Sequence, residues 1–294
     1  MHQTVLLLPA VDHLHVQPGG LYLDATFGAG GHTGEILKRG GRVVALDYDE
    51  LSVKKGQEKF AREIATDRLR LFTQNFVKLN QVVGSLGDFV GFDGMIFDLG
   101  TSTDQLMSAQ HGLSVYTNGP LDMRLDKTLG VSAHDLLQAL SEKQLIELFD
   151  EFGGETESRR IAREIVLERK KRGPEAFATS FELANLVSRV KKNRLGKLHP
   201  ATKVFQALRI AVNDEIGNLE RVLPQIIDAL KSGGYLVMIA FHEGEDRPVK
   251  KQLRAWADEG LVQLETKKPI MPDEAETTAN PRSRSAKMRV ARKL

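Results

Sequence analysis

The segment LYLDATFGAGGHTGE, residues 21–35, joins an apolar run to a cluster of glycines and sets the strongest constraint on the fold. A short apolar run bounded by glycine is typical of a buried strand that turns at once into a helix. Similar runs follow, separated by stretches with helical spacing, in RVVALDYD (42–49), RLRLFTQNF (68–76) and FDGMIFDLG (92–100). Strands that alternate with helices predict βαβ units and an α/β fold with a mostly parallel sheet.

The stretch from 105 to 198 breaks this alternation, because it contains several helical patterns and no convincing strand. Capping signals predict the starts of three of its helices, at Ser132, Ser141 and Thr179. The alternation resumes at residue 199, and we predict strands at 235–241 and in the alternating segment 286–293. The sequence therefore predicts one α/β domain, residues 1–104 and 199–294, with an inserted helical domain, residues 105–198.

A long amphipathic helical stretch occupies residues 201–234 and ends in two glycines. Pro224 lacks a backbone N–H, so we expect it to kink or split this helix. A further helix is predicted from Pro248 onward, in PVKKQLRAWADEG.

Composition excludes several classes of protein. The chain has 294 residues, 41% of them hydrophobic, and no run of 18 apolar residues, which predicts a globular protein with no membrane span. The N-terminus lacks the basic region of a signal peptide. Because there is no cysteine, disulfides and thiolate metal sites are absent, and we expect a protein of the reducing cytoplasm. We also expect no metal site of another kind.

Positive charge is concentrated in one part of the chain. Residues 159–203 hold 13 Lys or Arg against 4 Glu, a local net of +9, so the remainder carries −7 of the overall +2. Such a concentration favours a polyanionic partner. Solvated helix faces would give the same pattern, and charge alone does not choose between them.

The glycine cluster narrows the ligand. A dinucleotide fingerprint that began at Gly28 would need glycine at position 33, where the chain has Thr33. The pattern Asp24-x-x-x-Gly28-x-Gly30 is instead typical of the S-adenosylmethionine loop of Rossmann-like methyltransferases. There the glycines let the backbone approach the ligand, and an acid can face its ammonium group. A tight turn without a ligand remains an alternative.

Two more acids follow predicted strands. Asp47 lies 17 residues after Gly30, where a carboxylate can accept both hydroxyls of a ribose, which adenosylmethionine and NAD share. Asp49 is the neighbouring alternative on the same strand face. Asp98 ends the fourth strand, at the edge where open α/β sheets bind ligands. It either accepts a hydrogen bond from an attacking amine or caps the next turn.

Motifs spread over the chain resemble the MraW/RsmH family, which methylates the N4 amine of a cytidine in small-subunit ribosomal RNA. The matching segments include DATFGAGGHTGEIL (24–37), GPLDMR (119–124), HPATKVFQALRIAVNDE (199–215), FHEGEDR (241–247) and NPRSRSAKMRV (280–290). The resemblance implies a Rossmann-like class I methyltransferase sheet with an antiparallel strand near the C-terminus, and S-adenosylmethionine as methyl donor. It implies a cofactor site formed by Gly30, Gly31, His32, Asp47, Phe76, Asp98 and Gln105.

The resemblance also implies a substrate, 16S ribosomal RNA or the assembling 30S subunit. We expect Asp98, with Ser102 and His242, to act on the attacking amine. The insertion then supplies an RNA surface, with Arg159, Arg160, Arg163, Lys170, Lys171, Arg172, Lys191, Lys192 and Arg194 as its cations. Arg124 and His199 are either part of this surface or buried structural partners. The basic C-terminal segment either lines the same groove or forms an edge strand.

Two other functions fit the same motifs. A ribosome-assembly factor could keep the fold without catalysis, and an NAD-dependent oxidoreductase would share the ribose-binding acid. The chain departs from the family pattern at DLGTSTDQLM (98–107), where D-L-G-V-S-S-P-Q-L-D is expected, and at Glu243-Gly244, where Ser-Leu is expected. The start, HQTVLL in place of H-x-P-V-L-L, also differs. These changes concern the substrate site more than the cofactor site.

Overall fold

The computed structural model describes residues 4–101, 106, 109–127, 129–191 and 199–294. These residues form a seven-stranded sheet in the order β3-β2-β1-β4-β5-β7-β6. Strands β1 to β5 run parallel, and β7 is antiparallel to both of its neighbours. The strands are β1 (Leu21–Asp24), β2 (Arg42–Asp47), β3 (Leu69–Thr73), β4 (Phe92–Asp98), β5 (Leu230–Ala240), β6 (Val262–Leu264) and β7 (Lys287–Lys293). The α/β class, the mostly parallel sheet and the antiparallel strand near the C-terminus are confirmed.

Helices connect the strands and fill the insertion. Around the sheet lie α1 (Leu7–His13), α2 (Gly31–Lys38), α3 (Glu50–Lys59), α4 (Ala61–Ala65), α5 (Leu79–Gly84), α11 (Glu215–Ala229), α12 (Glu243–Asp258) and α13 (Glu274–Ala279). Between β4 and α11 come α6 (Ala133–Ala139), α7 (Glu142–Gly153), α8 (Ser158–Arg172), α9 (Ser180–Val190) and α10 (Thr202–Asn213). Within the described ranges, none of these helices is long and apolar enough to cross a bilayer.

The chain divides into two compact units, Met1–Gly100 with Ile216–Leu294, and Thr101–Glu215. The first unit, called here the sheet unit, buries apolar side chains on both faces of the sheet. The second, the helical unit, has its own core, and α10 contributes Val204, Phe205 and Leu208 to it. The helical unit therefore extends to residue 215 rather than 198, because the apolar face of α10 packs on α7.

The capping signals in the insertion are confirmed. Ser132 and Ser141 each form a capping box with the third residue of the helix they precede. At Thr179 the hydroxyl accepts the Glu182 amide, but the Glu182 carboxylate accepts from Ala178 and Arg172 instead of the cap residue. Side-chain caps are local in sequence, so sequence alone could locate these helix starts.

Three predicted details are wrong. The long helical stretch is split at Asp214, which has φ of 49°, and not at Pro224, which lies inside α11. Helix α12 begins at Glu243 rather than Pro248, because Glu245 folds back onto the start of the helix. The basic C-terminal strand β7 lies between β5 and β6, so it is not an edge strand.

The topology determines where a ligand can bind. Chain order in the sheet reverses between β1 and β4, and the carboxyl ends of these parallel strands share one edge. Open α/β sheets bind ligands in the crevice at this edge. Asp24, Asp47 and Asp98 are the last residues of β1, β2 and β4 and meet there.

Candidate functional site

The glycine turn after β1 leaves its backbone accessible. Gly28 and Gly30 have φ of 53° and 71°, in the left-handed region where glycine is favoured. A Cβ on Gly30 would lie 2.7 Å from the rings of Phe27 and Phe60, so packing requires glycine there. A Cβ on Gly28 would have Thr26 O, at 3.9 Å, as its nearest neighbour among the described residues. The open side of Gly28 can therefore receive a ligand against the main chain.

The buried side chain of Asp24 stabilises this turn. Its side chain is buried; one carboxylate oxygen accepts the Thr26 amide at 3.3 Å, and the other accepts the Thr33 amide at 3.1 Å and hydroxyl at 2.7 Å. Burial raises the pKa of the Asp24 carboxyl, and the bonds from Thr33 and Thr26 oppose that rise. Asp24 thus organises the turn, and its buried position does not favour the expected contact with a ligand ammonium. Thr33, which argued against a dinucleotide, is the main partner of Asp24.

Asp47 lies at the open side of the glycine turn. Its carboxylate accepts the Gly28 amide at 2.7 Å and the Asp49 amide at 2.9 Å. Burial raises the pKa of Asp47 to about 6, and these two amides limit the rise. Asp49 instead caps α3, where it accepts from the Leu51 amide and the Ser52 hydroxyl, both at 2.9 Å. The geometry therefore favours Asp47 over Asp49 as the ribose acceptor.

Asp98 and His32 face each other at the switch point. The Asp98 amide donates to the Thr26 hydroxyl at 2.7 Å, which ties the end of β4 to the turn after β1. Asp98 Oδ2 lies 4.0 Å from His32 Nδ1. Asp98 Oδ1 is shielded from solvent and has no hydrogen-bond partner among the described residues. Burial, together with the charges of Asp24 and Glu245, raises the pKa of Asp98 well above its usual range.

Phe76 lies next to Asp47 along the sheet edge. The Gln74 amide donates to the Asp47 carbonyl at 2.8 Å, and Phe76 begins the 3₁₀ turn that follows. Its ring meets Phe97 edge-on, with centroids 5.9 Å apart and planes at 77°. The side chain is only partly buried, so this contact with the core leaves part of the ring for a ligand.

His242 follows the end of β5 at the same edge of the sheet. Glu245 fixes this segment, because its Oε2 accepts the Phe241 amide at 2.8 Å and the His242 amide at 3.4 Å. Both ring nitrogens of His242 are shielded from solvent, Nε2 lies 3.3 Å from Glu245 Oε1, and the side chain takes part in a capping box with Glu245. A Cβ on Gly244 would lie 3.0 Å from His242 Nδ1. The departure from the family pattern at Gly244 thus leaves room for the imidazole ring.

The predicted cations of the insertion divide into two groups. The first group has exposed side chains that form no ion pair or hydrogen bond with a described residue, and it contains Arg159, Arg163, Lys170 and Lys171. The other three described cations have acidic partners: Arg160 with Glu157 at 2.6 Å, Arg172 with Glu182 at 2.9 Å, and Lys191 with Glu155 at 2.7 Å. The Lys191 pair is largely buried, so a structural role is favoured for this lysine.

Arg124 and His199 have structural contacts within the helical unit. Arg124 binds both Asp122 oxygens, at 2.6 and 2.9 Å, and donates to the Leu129 carbonyl. His199 Nδ1 accepts the Ala201 amide at 3.2 Å. The basic segment of β7 is also paired, since Arg289 binds Asp246 at 2.6 and 3.0 Å.

Comparison with known proteins identifies the family. The model of the MraW methylase family matches residues 1–294. The chain belongs to this family. A ribosomal RNA small subunit methyltransferase H from Gloeothece citriformis is 43% identical over 297 residues, which cover 100% of this chain and 94% of that protein. The protein of the same name from Brevibacillus brevis is 38% identical over 314 residues, covering 100% and 98%.

Among solved structures, an rRNA methylase from Streptococcus thermophilus aligns over 100% of this chain and 99% of its own, with 11% identity and a TM-score of 0.45. The assignment to the MraW methylase family rests on the sequence comparisons and not on this likeness.

In this member of the MraW methylase family, two residues that shape the site were not among the predicted site residues. Thr33 holds Asp24, and Glu245 holds the backbone of Phe241 and His242. A threonine nine residues after an acid has no recognisable pattern. Glu245 lies three residues after a possible cap, which is the spacing of a capping box and could have indicated it. Four predicted site residues lie outside the described ranges: Ser102, Gln105, Lys192 and Arg194.

Proposed function

We propose that this protein is an S-adenosylmethionine-dependent methyltransferase that methylates the N4 amine of a cytidine in 16S ribosomal RNA. The observation that carries the proposal is the Asp47 carboxylate bonded to the Gly28 amide, on an open glycine turn, in a chain of the MraW methylase family. The names of its relatives support a small-subunit ribosomal RNA substrate. Such a substrate implies action in the cytoplasm, on RNA in the assembling 30S subunit.

The residues at the sheet edge fit adenosylmethionine. Asp47 would accept hydrogen bonds from the ribose hydroxyls, and the backbone of Gly30 and Gly31 would face the methionine moiety. Phe76 would pack on the adenine. When bound, adenosylmethionine supplies a methyl group on a sulfonium, which is a good leaving group, so the protein needs no metal or strong base for this chemistry.

Asp98 and His242 would act on the nucleophile. The cytosine N4 lone pair is delocalised into the ring, which makes the amine a poor nucleophile. The protein must therefore hold the amine in line with the methyl group and accept hydrogen bonds from its N–H groups. Asp98 Oδ1 is a buried acceptor without a hydrogen-bond partner among the described residues, and one ring nitrogen of a neutral His242 can also accept. The raised pKa of Asp98 suits a group that takes up the proton released by the alkylated amine. Gln105 and Ser102 complete the proposed cofactor and catalytic sets.

The exposed cations of α8 would contact the RNA backbone. On a helix with 3.6 residues per turn, Arg159, Arg163 and Lys170 fall on one face, opposite the buried Ile161, Ala162 and Ile165. Lys171 lies at the margin of this face. Phosphate contacts of this kind give affinity that falls steeply with salt. The target base would leave its stack to reach the sheet edge.

Calorimetry and base mapping test the proposal together. Purified protein should bind adenosylmethionine and not NADH, and it should transfer a labelled methyl group to 16S ribosomal RNA, where mass spectrometry locates it as N4-methylcytidine. Binding of NADH alone would favour an oxidoreductase. Cofactor binding without methyl transfer to free RNA or to 30S subunits would favour a non-catalytic assembly factor.

A further inference from the structure

We propose that Tyr116, together with His199, forms a stacking platform for an unpaired nucleobase of the RNA substrate. Tyr116 is 69% exposed, although its neighbours in the sequence are anchored in the core of the helical unit. This inference rests on the proposed function, since it adds a contact with the RNA that the enzyme would modify.

The loop that carries Tyr116 is closed on itself. The Met123 amide donates to the His111 carbonyl at 2.7 Å, which joins the two ends of the loop. Leu113 and Leu121 are buried in the core of the helical unit. Gly112 packs directly against the Pro120 carbonyl, where a Cβ would collide with it. These contacts anchor both ends of the loop, and Tyr116 lies between them.

Helix α9 holds the loop from a second side. The Ser180 hydroxyl donates to the Thr117 carbonyl at 2.9 Å, and the Ser180 amide donates to the Gly119 carbonyl at 2.9 Å. A β-bridge joins Pro120 and Thr179. Thr117 directly follows Tyr116, so these contacts fix the backbone on which the exposed ring stands.

His199 orients the Tyr116 ring. The two rings meet edge-on, with centroids 5.8 Å apart and planes at 76°. His199 is itself fixed, because its Nδ1 accepts the Ala201 amide and its carbonyl accepts the Thr202 hydroxyl at 2.8 Å. A near-perpendicular contact covers at most one face of the tyrosine ring, and the high exposure of Tyr116 leaves the other face for a ligand.

A nucleobase is the ligand that fits this arrangement. Single-stranded RNA is recognised by stacking of its unpaired bases on aromatic side chains, and a rigid platform keeps the entropic cost of binding low. Folding of the helical unit alone does not require an aromatic ring at the exposed tip of the loop.

Fluorescence anisotropy with a labelled oligocytidine of about 12 nucleotides tests this platform. Tyr116→Ala should bind the oligocytidine roughly 5- to 150-fold more weakly than wild type, and Tyr116→Phe should bind like wild type, because stacking needs the ring and not the hydroxyl. The loss should be the same at low and high salt, since no phosphate contact is removed. Val131→Ala, which removes another exposed apolar side chain of the helical unit, is the matched control.

Three outcomes decide the matter. If wild type binds and methylates RNA while Tyr116→Ala binds equally well, the platform is refuted and the proposed function stands. If Tyr116→Phe loses as much affinity as Tyr116→Ala, the hydroxyl rather than the ring face makes the contact, and stacking is refuted. If wild type neither binds nor methylates RNA, the proposed function is refuted, and the platform, which rests on it, is refuted with it. Unchanged adenosylmethionine affinity in Tyr116→Ala verifies that the sheet unit is intact.

Discussion

Thr33 bears on both the ligand type and the stability of the glycine turn after β1. Its hydroxyl donates to buried Asp24, so the position that excludes a dinucleotide fingerprint also stabilises the turn. Thr33→Val keeps the shape of the side chain and removes the hydroxyl. The free energy of unfolding in urea should fall by about 1–3 kcal/mol, because a buried carboxylate oxygen loses its shortest hydrogen bond. Thr33→Ser keeps the hydroxyl and should lose much less; equal losses in both variants would contradict this role.

Asp47 should make cofactor binding depend on pH. Burial raises its pKa to about 6, so acidification through pH 6 protonates the carboxylate and removes the proposed acceptor for the ribose hydroxyls. Calorimetric affinity for adenosylhomocysteine should therefore fall between pH 7 and about pH 5. Asp47→Asn should bind weakly at every pH in this range and lose the dependence. A wild-type affinity that stays level as pH falls would contradict the ribose assignment.

The same shift has an opposite effect on stability. Because folding raises the pKa of Asp47, the folded protein holds this proton more tightly than the unfolded chain does. The contribution of Asp47 to stability is therefore present at low pH and is lost as pH rises through about 6. Binding and stability thus depend on the same carboxyl with opposite signs, as is common for functional groups that are buried.

Sequence alone could locate the acids of the candidate site but not their separate tasks. Asp24, Asp47 and Asp98 each end a predicted strand, and parallel strands bring their carboxyl ends together. The sequence does not reveal that Asp24 is turned beneath the loop while Asp47 lies at its open side, because that depends on Thr33 and on the Gly28 amide. These contacts join residues of separate elements in three dimensions.

At the scale of the element, α8 combines two kinds of cation. Arg169 Nη1 donates to the carbonyls of Leu137, Gln138 and Leu140, at 2.7 to 2.8 Å, and so closes the C-terminal end of α6. Arg163 and Lys170 point to solvent on the other side of the helix. A count of charged residues does not distinguish these two kinds of cation, so it could not separate the structural Arg169 from the exposed Arg163 and Lys170.

Charge reversal on α8 should weaken RNA binding selectively. Arg163→Glu with Lys170→Glu should lower affinity for 16S ribosomal RNA and reduce the salt dependence by about two counterions, because two phosphate contacts are lost. Adenosylmethionine affinity should not change. Lys143→Glu with Lys251→Glu, which reverses two exposed lysines outside this face and changes the net charge by the same amount, is the matched control. An equal effect of the control and the α8 variant would show a nonspecific effect of net charge.

Lys191 should instead contribute to stability. Its ammonium group lies 2.7 Å from Glu155 Oε2 and joins the end of α9 to the segment before α8. Lys191→Ala leaves a buried carboxylate without its partner, so the free energy of unfolding of the helical unit should fall by about 3–5 kcal/mol. Circular dichroism during urea unfolding measures this loss. Glu155→Gln with Lys191→Met should recover part of it, and a Lys191→Ala variant as stable as wild type would contradict the buried pair.

Element boundaries were predictable where a local signal exists. Ser132 and Ser141 cap their helices as the sequence indicates, because a cap bonds within its own turn. The break at Asp214 was missed, since nothing in the residue type requires its left-handed conformation. Pro224 indicated the wrong position for the split in this helix. A helix already held by the core through Leu219, Val222 and Ile226 tolerates one missing hydrogen bond.

For the whole molecule, the chain offers a reporter for one unit. Its single tryptophan, Trp256, is buried in the core of the sheet unit, so its fluorescence follows the folding of that unit. Adenosylhomocysteine should raise the urea midpoint seen by tryptophan fluorescence, by mass action on the folded state. In Asp47→Ala the ligand should have little effect. The same ligand-induced shift in both proteins would mean that binding does not use Asp47.

The place of the helical unit between neighbouring strands has a kinetic consequence. Strands β4 and β5 pair directly, yet the entire helical unit separates Asp98 from Leu230 in the chain. Closing a long flexible loop costs entropy, whereas a segment that has already folded brings its ends nearer before the strands meet. Folding of the helical unit should therefore speed the pairing of β4 with β5. Lys191→Ala, which changes no residue of the sheet, should then slow the recovery of Trp256 fluorescence during refolding.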